Sequence, residues 1–588
     1  MIKKNGSSRQ AVLVLDAHSR AGVESTQALG KFGVEVHAAS DSPQCLAFHS
    51  RYTRRAHLHR KSLPVEQVAE WITELDNRFG YRLIVPSTEY ALLAIRSLPE
   101  SSPIRLKSVV PSNRSLDTAL EKQQTLQFAR RLGVSVPRST FIENESDVAR
   151  SVAAFPLVLK PNRSVTLRNG EVEVCSPVIV TSEVERRRYV DVLLANGGVQ
   201  QQEYIKGTGI GVDLLFNRGL EVWHFAHRRL HEYPLTGGGS TYRCSVSPPK
   251  ELLKTANALL SALEWHGVAM VEFKMRQDGT FVLMEINPRL FGSLALAIDA
   301  GVNFPYGLLQ LANGGPVPPQ PPYKVPYYTR HLPDDIQWQV ANLKANHKNR
   351  MFLTKSRSRS FLEMFRPILG SESWDHFDLA DLMVTAVMLK AICDLYSRSI
   401  ARLLSPPWRK LSILLHHRRL IRHLGMQAES PGKLLFLCHG NICRSPFAAA
   451  LAQRILPGIT IESAGAYSIS DRPCDPAIIA EARLAGIDLS RFGSRTVSEQ
   501  QLRDADLILV MDTKNYDWVR QRHPEALAHT TMLGLFASAP SINIDDPYGK
   551  PLPEVAKTCK KIASAVEGVA MAIRQRFSLA EKANATKV

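Results

Sequence analysis

The residues most suited to chemistry are a cysteine and an arginine six positions apart, Cys438 and Arg444, in the stretch LFLCHGNICRSP. The preceding segment KLLFLC predicts a buried parallel strand, and SPFAAALAQRIL predicts a helix. The residues between them therefore form a loop that opens onto a helix N-terminus. Successive N–H groups in such a loop form an anion-binding concavity, and we expect Gly440 and Asn441 to supply its left-handed dihedrals. The same field favours the thiolate form of Cys438, which is a nucleophile.

Three side chains would complete a displacement at phosphorus. Arg444 carries a planar fork that can hold two phosphoryl oxygens, and Ser445 can donate a hydrogen bond to the thiolate when it is the leaving group. The departing oxygen also needs an acid. Asp546, in the loop segment NIDDPYGK, could protonate that oxygen and then activate water.

Residues 433 to about 575 resemble the low-molecular-weight protein tyrosine phosphatases. The resemblance rests on the C-x-x-x-x-x-R-S loop, on ESAGA, GIDLS and ADLILVMD, and on the late DPYGK, which occur in this order. It implies Cys438 as nucleophile, Arg444 as phosphate clamp, Asp546 as general acid and no cofactor. The remaining loop residues would support the phosphate: His439, Gly440, Asn441, Ile442, Cys443 and Ser445. The implied partner is a phosphotyrosine protein, such as a bacterial tyrosine kinase.

Two departures from the family pattern leave the substrate open. Alanine replaces a glutamate that often follows the first turn of the loop helix, and Ile469 stands where eukaryotic members tend to carry an aromatic wall. The segment around Ile469, AYSISDRPCDP, is short and has few aromatic residues. In this it is more similar to the bacterial phosphatases associated with capsule and exopolysaccharide. The resemblance implies a link to exopolysaccharide biosynthesis or its regulation. Arsenate reductases share the fold and loop, but they need a late cysteine pair that LILVMDTKNYDWVRQRHPEAL lacks. Cys443 is either a small buried loop residue or a resolving thiol for oxidised Cys438.

The N-terminal half contains a different set of candidate residues. It opens as strand, helix and strand without a dinucleotide-binding glycine fingerprint, and Ser87, Thr88 and Glu89 follow the strand YRLIVP as candidate small-substrate contacts. Further on, HGVAMVEFKMRQDGTFVLMEINPRLFGS predicts a hairpin that turns at RQDGT. This hairpin would bring two carboxylates and an amide to one site: Glu272, Glu285 and Asn287. Such oxygen ligands suit Mg²⁺ that carries nucleotide phosphates.

Residues 10 to 320 resemble the ATP-grasp superfamily, in its carbamoyl-phosphate-synthase-like branch. The resemblance implies ATP and Mg²⁺ as cofactors, and small carboxylate and amine substrates joined through an acyl phosphate. By that resemblance Lys122 and Lys160 hold phosphates, Asp213 lies near the ribose and Arg289 faces the transferred phosphoryl group. The adenine hinge would be Glu203, Tyr204 and Ile205, the metal ligands Glu272, Glu285 and Asn287, and the substrate loop Arg228, Arg229, Gly237, Gly238 and Gly239, with the glycines as a mobile lid. The loop PNRSVTLRNGE lacks the glycines that usually cover ATP.

Composition supports a folded, multidomain, cytoplasmic protein. The chain has 588 residues, a net charge of +18, 44% hydrophobic and 22% charged residues, and eight cysteines without metal-ligand spacing. No apolar signal core opens the sequence, and no uncharged apolar stretch reaches the roughly 18 residues of a spanning helix. Residues 330 to 433 hold 17 Lys/Arg and 9 Asp/Glu. This basic segment is either a helical docking domain with a solvated face or, around 405–425, a peripheral contact with the anionic inner membrane surface. We expect no specific nucleic acid partner.

The predicted fold class is α/β with four domains. These are a pre-ATP-grasp domain at 1–115, an ATP-grasp α+β domain at 116–325, a basic helical connector at 326–430 and a doubly wound parallel-sheet phosphatase domain at 431–580. Three functional hypotheses remain open at this point. The protein is a bifunctional ligase and phosphatase, a phosphatase with a nucleotide-sensing ATP-grasp module, or an enzyme of small phosphoesters or arsenate.

Overall fold

The computed structural model describes most of the chain as two compact units, Met1–Tyr396 and Ser397–Val588. The described residues are 11–60, 63–151, 154–162, 165–168, 171–174, 177–194, 198–347, 351–403, 407–424, 431–467, 471–550 and 552–585. Within them, no single helix is long and apolar enough to cross a membrane, although the bent pair Leu294–Ala300 and Phe304–Ala312 reaches that length and composition when taken together.

The first unit opens with a parallel four-stranded sheet in the order β3-β2-β1-β4. Its strands are β1 Val12–Leu15, β2 Val36–Ser40, β3 Thr53–Leu58 and β4 Leu83–Pro86. The associated helices are α1 Arg20–Lys31, α2 Val65–Phe79, α3 Glu89–Arg96, α4 Pro103–Ser108, α5 Asn113–Leu120 and α6 Lys122–Arg131, with a short 3-10 helix at Leu46–His49. Gly22 allows α1 to start against the end of β1, because a Cβ atom there would lie 2.6 Å from Cα of Ala17.

An antiparallel sheet follows in the order β5-β10-β6-β9, beside a separate two-stranded pair, β7 and β8. The strands are β5 Ser139–Ile142, β6 Leu157–Pro161, β7 Val165–Arg168, β8 Glu171–Val174, β9 Val178–Val180 and β10 Val199–Glu203. The helices are α7 Glu145–Arg150 and α8 Glu183–Leu194. Parts of the loop PNRSVTLRNGE lie outside the described residues.

A seven-stranded sheet in the order β15-β14-β11-β12-β13-β16-β17 forms the centre of the first unit. Its strands are β11 Thr208–Asn217, β12 Leu220–Tyr233, β13 Gly239–Ser245, β14 Gly267–Met275, β15 Phe281–Asn287, β16 Tyr328–Arg330 and β17 Glu372–Trp374. The helices are α9 Lys250–Ala262, α10 Leu294–Ala300, α11 Phe304–Ala312, α12 Leu332–Lys344 and α13 Arg357–Glu363, with a 3-10 helix at Arg366–Leu369. The predicted hairpin is present as β14 and β15, which pair antiparallel.

The segment expected to form a helical connector, 326–430, is not wholly helical. Its first part supplies β16, which pairs with β13, and β17, which pairs with β16. Its second part forms α14 Leu382–Leu403 and α15 Pro407–Leu424. The division between the two compact units falls within α14. The sequence predicted helix for this whole segment, because strands of three residues carry too little periodicity to be recognised.

The second unit contains the parallel sheet predicted for the phosphatase domain, in the order β19-β18-β20-β21. Its strands are β18 Lys433–Cys438, β19 Thr460–Gly465, β20 Leu507–Val510 and β21 Thr530–Met532. The helices are α16 Arg444–Ile455, α17 Pro476–Leu484, α18 Glu499–Asp504, α19 Thr513–Arg522 and α20 Leu552–Ala585, with 3-10 helices at Pro524–His529 and Leu533–Phe536.

The central strand β18 divides the core of the second unit into two layers. Leu434, Phe436 and Cys438 belong to one apolar cluster, and Leu435 and Leu437 belong to the other. This alternation follows from the pleat of a strand, in which successive side chains point to opposite faces. The nucleophile candidate is therefore held on a fixed face by the same register that buries the strand.

Helix α20 packs closely against the backbone of Phe536 at Gly568. A Cβ atom at Gly568 would lie 1.9 Å from the carbonyl oxygen of Phe536. In an open helix alanine is better than glycine by about 1 kcal/mol. Here we expect Gly568→Ala to lower the free energy of unfolding by roughly 1–3 kcal/mol, because the new methyl group would push α20 away from the backbone.

Urea unfolding of the variant and the parent measures this difference. Glu567→Ala, at the exposed neighbouring position on the same helix, is the control and should change stability little. A stabilised Gly568→Ala protein would contradict the close contact.

Candidate functional site

The loop between β18 and α16 surrounds the sulfur of Cys438 with donors. The side chain is 2% exposed. Sγ accepts a hydrogen bond from the backbone N–H of Asn441 at 3.2 Å and another from Oγ of Ser445 at 3.0 Å. Two donors directed at one sulfur can stabilise negative charge that develops on it.

Asn441 holds the loop in its curved shape. It has a φ of +50°, and its Nδ2 donates to Oγ of Ser445 at 2.9 Å and to Oγ of Ser463 at 3.1 Å. Its Oδ1 accepts the backbone N–H of Arg495 at 2.9 Å. Gly440, which we expected to be left-handed as well, does not have a positive φ. One asparagine therefore provides both the left-handed residue and the side-chain ties.

The guanidinium of Arg444 is buried and held from two sides. Nη1 donates to Oδ2 of Asp512 at 2.7 Å and to the carbonyl oxygen of Ile544 at 3.1 Å, and Nη2 donates to Oδ2 of Asp546 at 3.0 Å. Burial opposes the charged form, but the charges on Cys438, Asp546 and Asp512 outweigh it and raise the pKa of Arg444 above its usual value. Within the described residues Nε is buried and has no partner. This N–H is the donor left for a phosphoryl oxygen.

Asp512 was not identified from the sequence. It follows β20 and caps α19, because its Oδ1 accepts the N–H groups of Lys514 at 2.9 Å and Asn515 at 3.0 Å. Its other oxygen binds Arg444. The signal was present, since an aspartate at the end of an apolar strand and the start of a helix is a typical N-cap.

The structure places Asp546 at the open side of the same guanidinium. Its side chain is 48% exposed, so one oxygen is anchored to Arg444 while the carboxyl group remains accessible to solvent. The backbone N–H of Tyr548 lies 3.4 Å from its other oxygen. A carboxyl group fixed at the mouth of the loop and exposed to water is suited to exchange a proton with a leaving group and then with water.

The other loop residues differ in their exposure. His439 is exposed, whereas Ile442 is buried and its carbonyl oxygen accepts the N–H of Asp475 at 2.9 Å. Burial, reinforced by the charges on Asp475 and Asp546, raises the pKa of Cys443 above its usual value. Cys443 is therefore a neutral, buried thiol. Ile469 lies outside the described residues.

In the first unit the hairpin brings the expected metal ligands together. Glu272 on β14 lies opposite Glu285 on β15, and Asn287 donates from Nδ2 to Oε1 of Glu285 at 3.2 Å. Arg229 donates to Glu272 and lies 3.7 Å from Glu232. Two adjacent carboxylates that are only partly exposed repel each other unless cations lie nearby.

The two expected phosphate-binding lysines supply those cations. Burial lowers the pKa of Lys160, and the charge of Lys122 acts in the same direction against the attraction of Glu285 and Glu272. Burial alone would raise the pKa of Glu285, but the charges on Lys122 and Lys160 hold it below its usual value. Burial raises the pKa of Glu272, and the adjacent Glu285 adds to that effect. Residues far apart in sequence thus form one cluster of opposite charges.

This cluster fits Mg²⁺ and nucleotide phosphates by its donor types. Among the described residues no group of three or more His, Cys, Asp or Glu side chains could hold a metal ion. Mg²⁺ is commonly held by one or two carboxylates together with substrate phosphates and water. Two carboxylates and an amide oxygen beside two lysines match that pattern.

Two residues of the expected ATP-grasp site have surroundings that the sequence did not indicate. Asp213 is fully buried and accepts from Nδ1 of His227 at 2.9 Å, so it presents no surface to a ribose. Arg228 is exposed on the opposite face of β12 from Arg229, because consecutive strand residues alternate. Only Arg229 reaches the carboxylates. Gly211 is required beside this pair, since a Cβ atom there would lie 2.3 Å from the His227 ring.

The remaining expected residues lie at strand ends or in the adjoining connections. Glu203 ends β10 and binds Arg138 through Nε at 2.9 Å, the Tyr204 ring lies 5.8 Å from Nζ of Lys274, and Ile205 is buried. Arg289 follows β15 and donates to the carbonyl oxygen of Leu290 at 3.0 Å. Gly237 and Gly238 lie in the connection between β12 and β13, where the N–H of Gly237 donates to the carbonyl oxygen of Pro234 at 3.0 Å, and Gly239 is the first residue of β13.

The candidate small-substrate contacts after β4 also have structural contacts. Oγ1 of Thr88 donates to Asp16 and accepts the N–H of Ala91, which caps α3. Ser87 is buried, and Glu89 starts α3.

Comparison with known proteins matches both parts of the chain. A family model described as low molecular weight phosphotyrosine protein phosphatase matches residues 433–579, and one described as ATP-grasp in the biosynthetic pathway with Ter operon matches residues 201–331. The probable low molecular weight protein-tyrosine-phosphatase EpsP of Ralstonia nicotianae is 35% identical over 141 residues, which cover 24% of this chain and 95% of that protein.

Solved structures are similar to each part. The YwlE arginine phosphatase from Geobacillus stearothermophilus is 28% identical, and the match covers 25% of this chain and 94% of that chain with a TM-score of 0.24. The biotin carboxylase–β,γ-ATP complex from Campylobacter jejuni is 15% identical, and the match covers 54% of this chain and 74% of that chain with a TM-score of 0.44. Through its C-terminal domain the chain belongs to the low molecular weight phosphotyrosine protein phosphatase family, and it joins that domain to an N-terminal ATP-grasp domain.

Proposed function

We propose that the protein is bifunctional: a phosphotyrosine-protein phosphatase that works through a cysteinyl-phosphate intermediate, joined to an ATP- and magnesium-binding carboxylate–amine ligase. The observation that carries the phosphatase proposal is the pair of donors on Sγ of Cys438 beside the unpartnered Nε of Arg444. Together they form a site with a nucleophile and an available donor for a phosphoryl oxygen.

The first chemical step transfers the phosphoryl group to the enzyme. Sγ of Cys438 attacks phosphorus, and the bond between phosphorus and the tyrosine oxygen breaks. Asp546 gives its proton to that oxygen, so that tyrosine leaves as the neutral phenol. Arg444 and the loop N–H groups hold the oxygens that carry the negative charge.

The second step hydrolyses the intermediate. Water attacks phosphorus while Asp546 takes one of its protons, and the bond between sulfur and phosphorus breaks. The electron pair returns to sulfur as the thiolate, which the hydroxyl of Ser445 and the N–H of Asn441 stabilise. Inorganic phosphate leaves, and Asp546 is again protonated for the next turnover.

The role of Asp546 predicts a dependence on the leaving group. Asp546→Asn should slow hydrolysis of tyrosine phosphate roughly 10²- to 10³-fold, because the poor leaving group needs a proton. The first step with nitrophenyl phosphate should slow far less, since nitrophenolate leaves unprotonated. Steady-state and burst kinetics with both substrates measure the difference.

Asp545→Asn removes the adjacent exposed carboxylate and is the matched control. Cys438→Ser should be inactive towards both substrates. Equal slowing of the first step with both substrates in Asp546→Asn would show that Asp546 only holds Arg444 in place.

For the ATP-grasp domain we propose that Glu272, Glu285 and Asn287 hold Mg²⁺ and that Lys122 and Lys160 hold nucleotide phosphates. Mg²⁺ would neutralise the charge on the phosphates during phosphorylation of a carboxylate. Arg229 orients Glu272 through its hydrogen bond, and Arg289 is proposed to face the transferred phosphoryl group. We propose a small carboxylate and a small amine as its substrates. We also propose that the ATP-grasp domain spans residues 116–325.

Ligand binding by this cluster can be measured without knowing the substrates. Mg²⁺–ATP should raise the thermal transition of the first unit in the full chain, because a ligand at 100 times its Kd stabilises by about 2.7 kcal/mol. Glu285→Ala should abolish this shift, whereas Glu251→Ala, an exposed glutamate on α9, should preserve it.

The same pair of variants tests whether the two units work independently. Phosphatase turnover of the full chain should be the same with and without Mg²⁺–ATP. A several-fold effect of ATP that disappears with Glu285→Ala would instead favour the alternative, in which the ATP-grasp domain is a nucleotide sensor for the phosphatase.

We propose further that the phosphatase acts in the cytoplasm at an anionic membrane surface, through the outer face of α15. The inner face of this helix packs on the second unit, with Ile413 and Leu420 in its core clusters and Nε2 of His416 3.1 Å from the carbonyl oxygen of Thr530. The opposite face presents leucines and arginines to solvent: Leu411, Leu414, Leu415, Arg418, Arg419 and Arg422. The helix contains no acidic residue. Exposed leucines between arginines are typical of interfacial helices on anionic lipid.

Membrane binding is measured by sedimentation of the full chain with vesicles. Binding to vesicles that contain phosphatidylserine should exceed binding to pure phosphatidylcholine, and Arg418→Glu with Arg422→Glu should weaken it at least about tenfold. Lys557→Glu with Lys560→Glu makes the same charge change at exposed positions of α20 and should have little effect. Equal loss in both double variants would contradict a specific role for α15.

The cellular role we propose follows from these parts. The phosphatase would act on phosphotyrosine proteins, a bacterial tyrosine kinase among them, in exopolysaccharide biosynthesis or its regulation. An arsenate-related role has less support, because the one cysteine after Cys474 in the sequence, Cys559, is buried and offers no late pair. Turnover of phosphotyrosine peptides compared with small phosphate esters distinguishes the remaining small-phosphoester alternative.

A further inference from the structure

The mouth of the phosphatase loop carries an aromatic residue that the catalytic steps do not use. Tyr467 follows β19, and its ring is solvent-accessible, the residue being 54% exposed. Its backbone N–H donates to the carbonyl oxygen of His439 at 2.9 Å, and the preceding N–H of Ala466 donates to the carbonyl oxygen of Cys438 at 2.9 Å. Two backbone bonds thus tie Tyr467 to the nucleophile and its neighbour.

The side chains around Tyr467 form a small platform. Its ring lies 4.9 Å from the His439 ring and 6.3 Å from the Trp518 ring. Cζ of Arg522, the last residue of α19, lies 5.8 Å from its centroid. We use the name platform for His439, Tyr467 and Arg522. All three are exposed, whereas Trp518 beneath them is buried.

Arg522 differs from its neighbour on the same helix. Arg520 forms an ion pair with Asp517 at 3.1 Å. Within the part of the chain that the structure describes, Arg522 has no carboxylate within 4.0 Å and lies over the tyrosine ring instead. Stacking on an aromatic face leaves the planar donors of a guanidinium free for a second partner.

The platform offers a positive charge beside an aromatic surface. The Arg522 guanidinium lies 5.8 Å from the Tyr467 ring centroid, whereas the exposed carboxylates of Asp545 and Asp546 belong to the separate Asp-Asp-Pro-Tyr segment. A ligand that reaches the platform therefore meets a guanidinium and an aromatic face together. A peptide is long enough to extend from the loop onto the platform, and a small aryl phosphate is not.

We infer that the platform binds the peptide segment next to the phosphotyrosine and selects an acidic side chain there. Tyr467 provides the contact surface, and the free donors of Arg522 bind the flanking carboxylate. This inference rests on the proposed phosphatase function and adds the class of protein substrate. It also explains how the site can recognise protein substrates without an aromatic wall at position 469.

The test compares kcat/KM for two phosphotyrosine peptides, one with glutamates and one with lysines beside the phosphotyrosine. We expect the acidic peptide to be favoured about three- to fivefold, as for a partly exposed ion pair, and less so at high salt. Arg522→Ala should remove this preference, and Arg522→Lys should restore part of it. Arg520→Ala is the matched control and should retain the preference of the parent.

Tyr467→Ala should raise KM for both peptides, because both lose the contact surface, and it should weaken the preference by releasing Arg522. Turnover of nitrophenyl phosphate by each variant reports whether the catalytic loop is intact. If the parent protein does not hydrolyse nitrophenyl phosphate, the phosphatase function itself is overturned. An active parent whose peptide preference is absent, or is unchanged by Arg522→Ala, would overturn the platform alone.

Discussion

The buried guanidinium of Arg444 is the interaction on which the phosphatase unit depends. It joins the catalytic loop to Asp512 at the end of β20 and to Ile544 and Asp546 in the late loop, segments that lie 68 to 102 residues away in sequence. A buried cation without counter-charges would destabilise the fold, so these partners stabilise the domain and also position the guanidinium for chemistry. The same arrangement leaves Nε without a partner and places the carboxyl group of Asp546 at the mouth of the loop. Structure and reactivity therefore share one set of contacts.

The ATP-grasp domain also holds charged groups close together, but here the crowded groups are negative and their partners are positive. There the crowded groups are the carboxylates of Glu272 and Glu285, and Lys122, Lys160 and Arg229 are the counter-charges. The hairpin register fixes the two carboxylates relative to each other, while the lysines come from a helix and from a different sheet. Movement between those elements would change the electrostatic balance of the cluster. This gives a physical reason to expect that ligand binding and stability are linked in the first unit.

The phosphatase loop could be predicted from the sequence because it is contiguous. A strand, a short loop and a helix N-terminus specify their own geometry. Of the two residues expected to be left-handed, Asn441 is and Gly440 is not. Asp512 was missed because its partner is distant in sequence, although its capping position was visible. What the sequence does not show in the first unit has another origin. Which of Arg228 and Arg229 contacts the carboxylates, and whether Asp213 is buried, depends on strand register and on which face of the sheet is covered. Neither is encoded by a single residue, and the burial of Asp213 requires His227 from the neighbouring strand. The three-residue strands β16 and β17 are likewise defined by pairing rather than by their own pattern.

The central claim is that Cys438, held by Ser445, Asn441 and the field of Arg444, carries the phosphoryl group between two half-reactions. Acid quenching of the Asp546→Asn protein during turnover of nitrophenyl phosphate tests it directly, because this variant should complete the first step and stall at the second. Mass spectrometry of the peptide that contains residues 434–444 should then show one added phosphoryl group on Cys438, with a nitrophenolate burst of matching amplitude. Hydrolysis that proceeds with no phosphorylated cysteine and no burst, or a phosphoryl group found on another residue, would contradict the account.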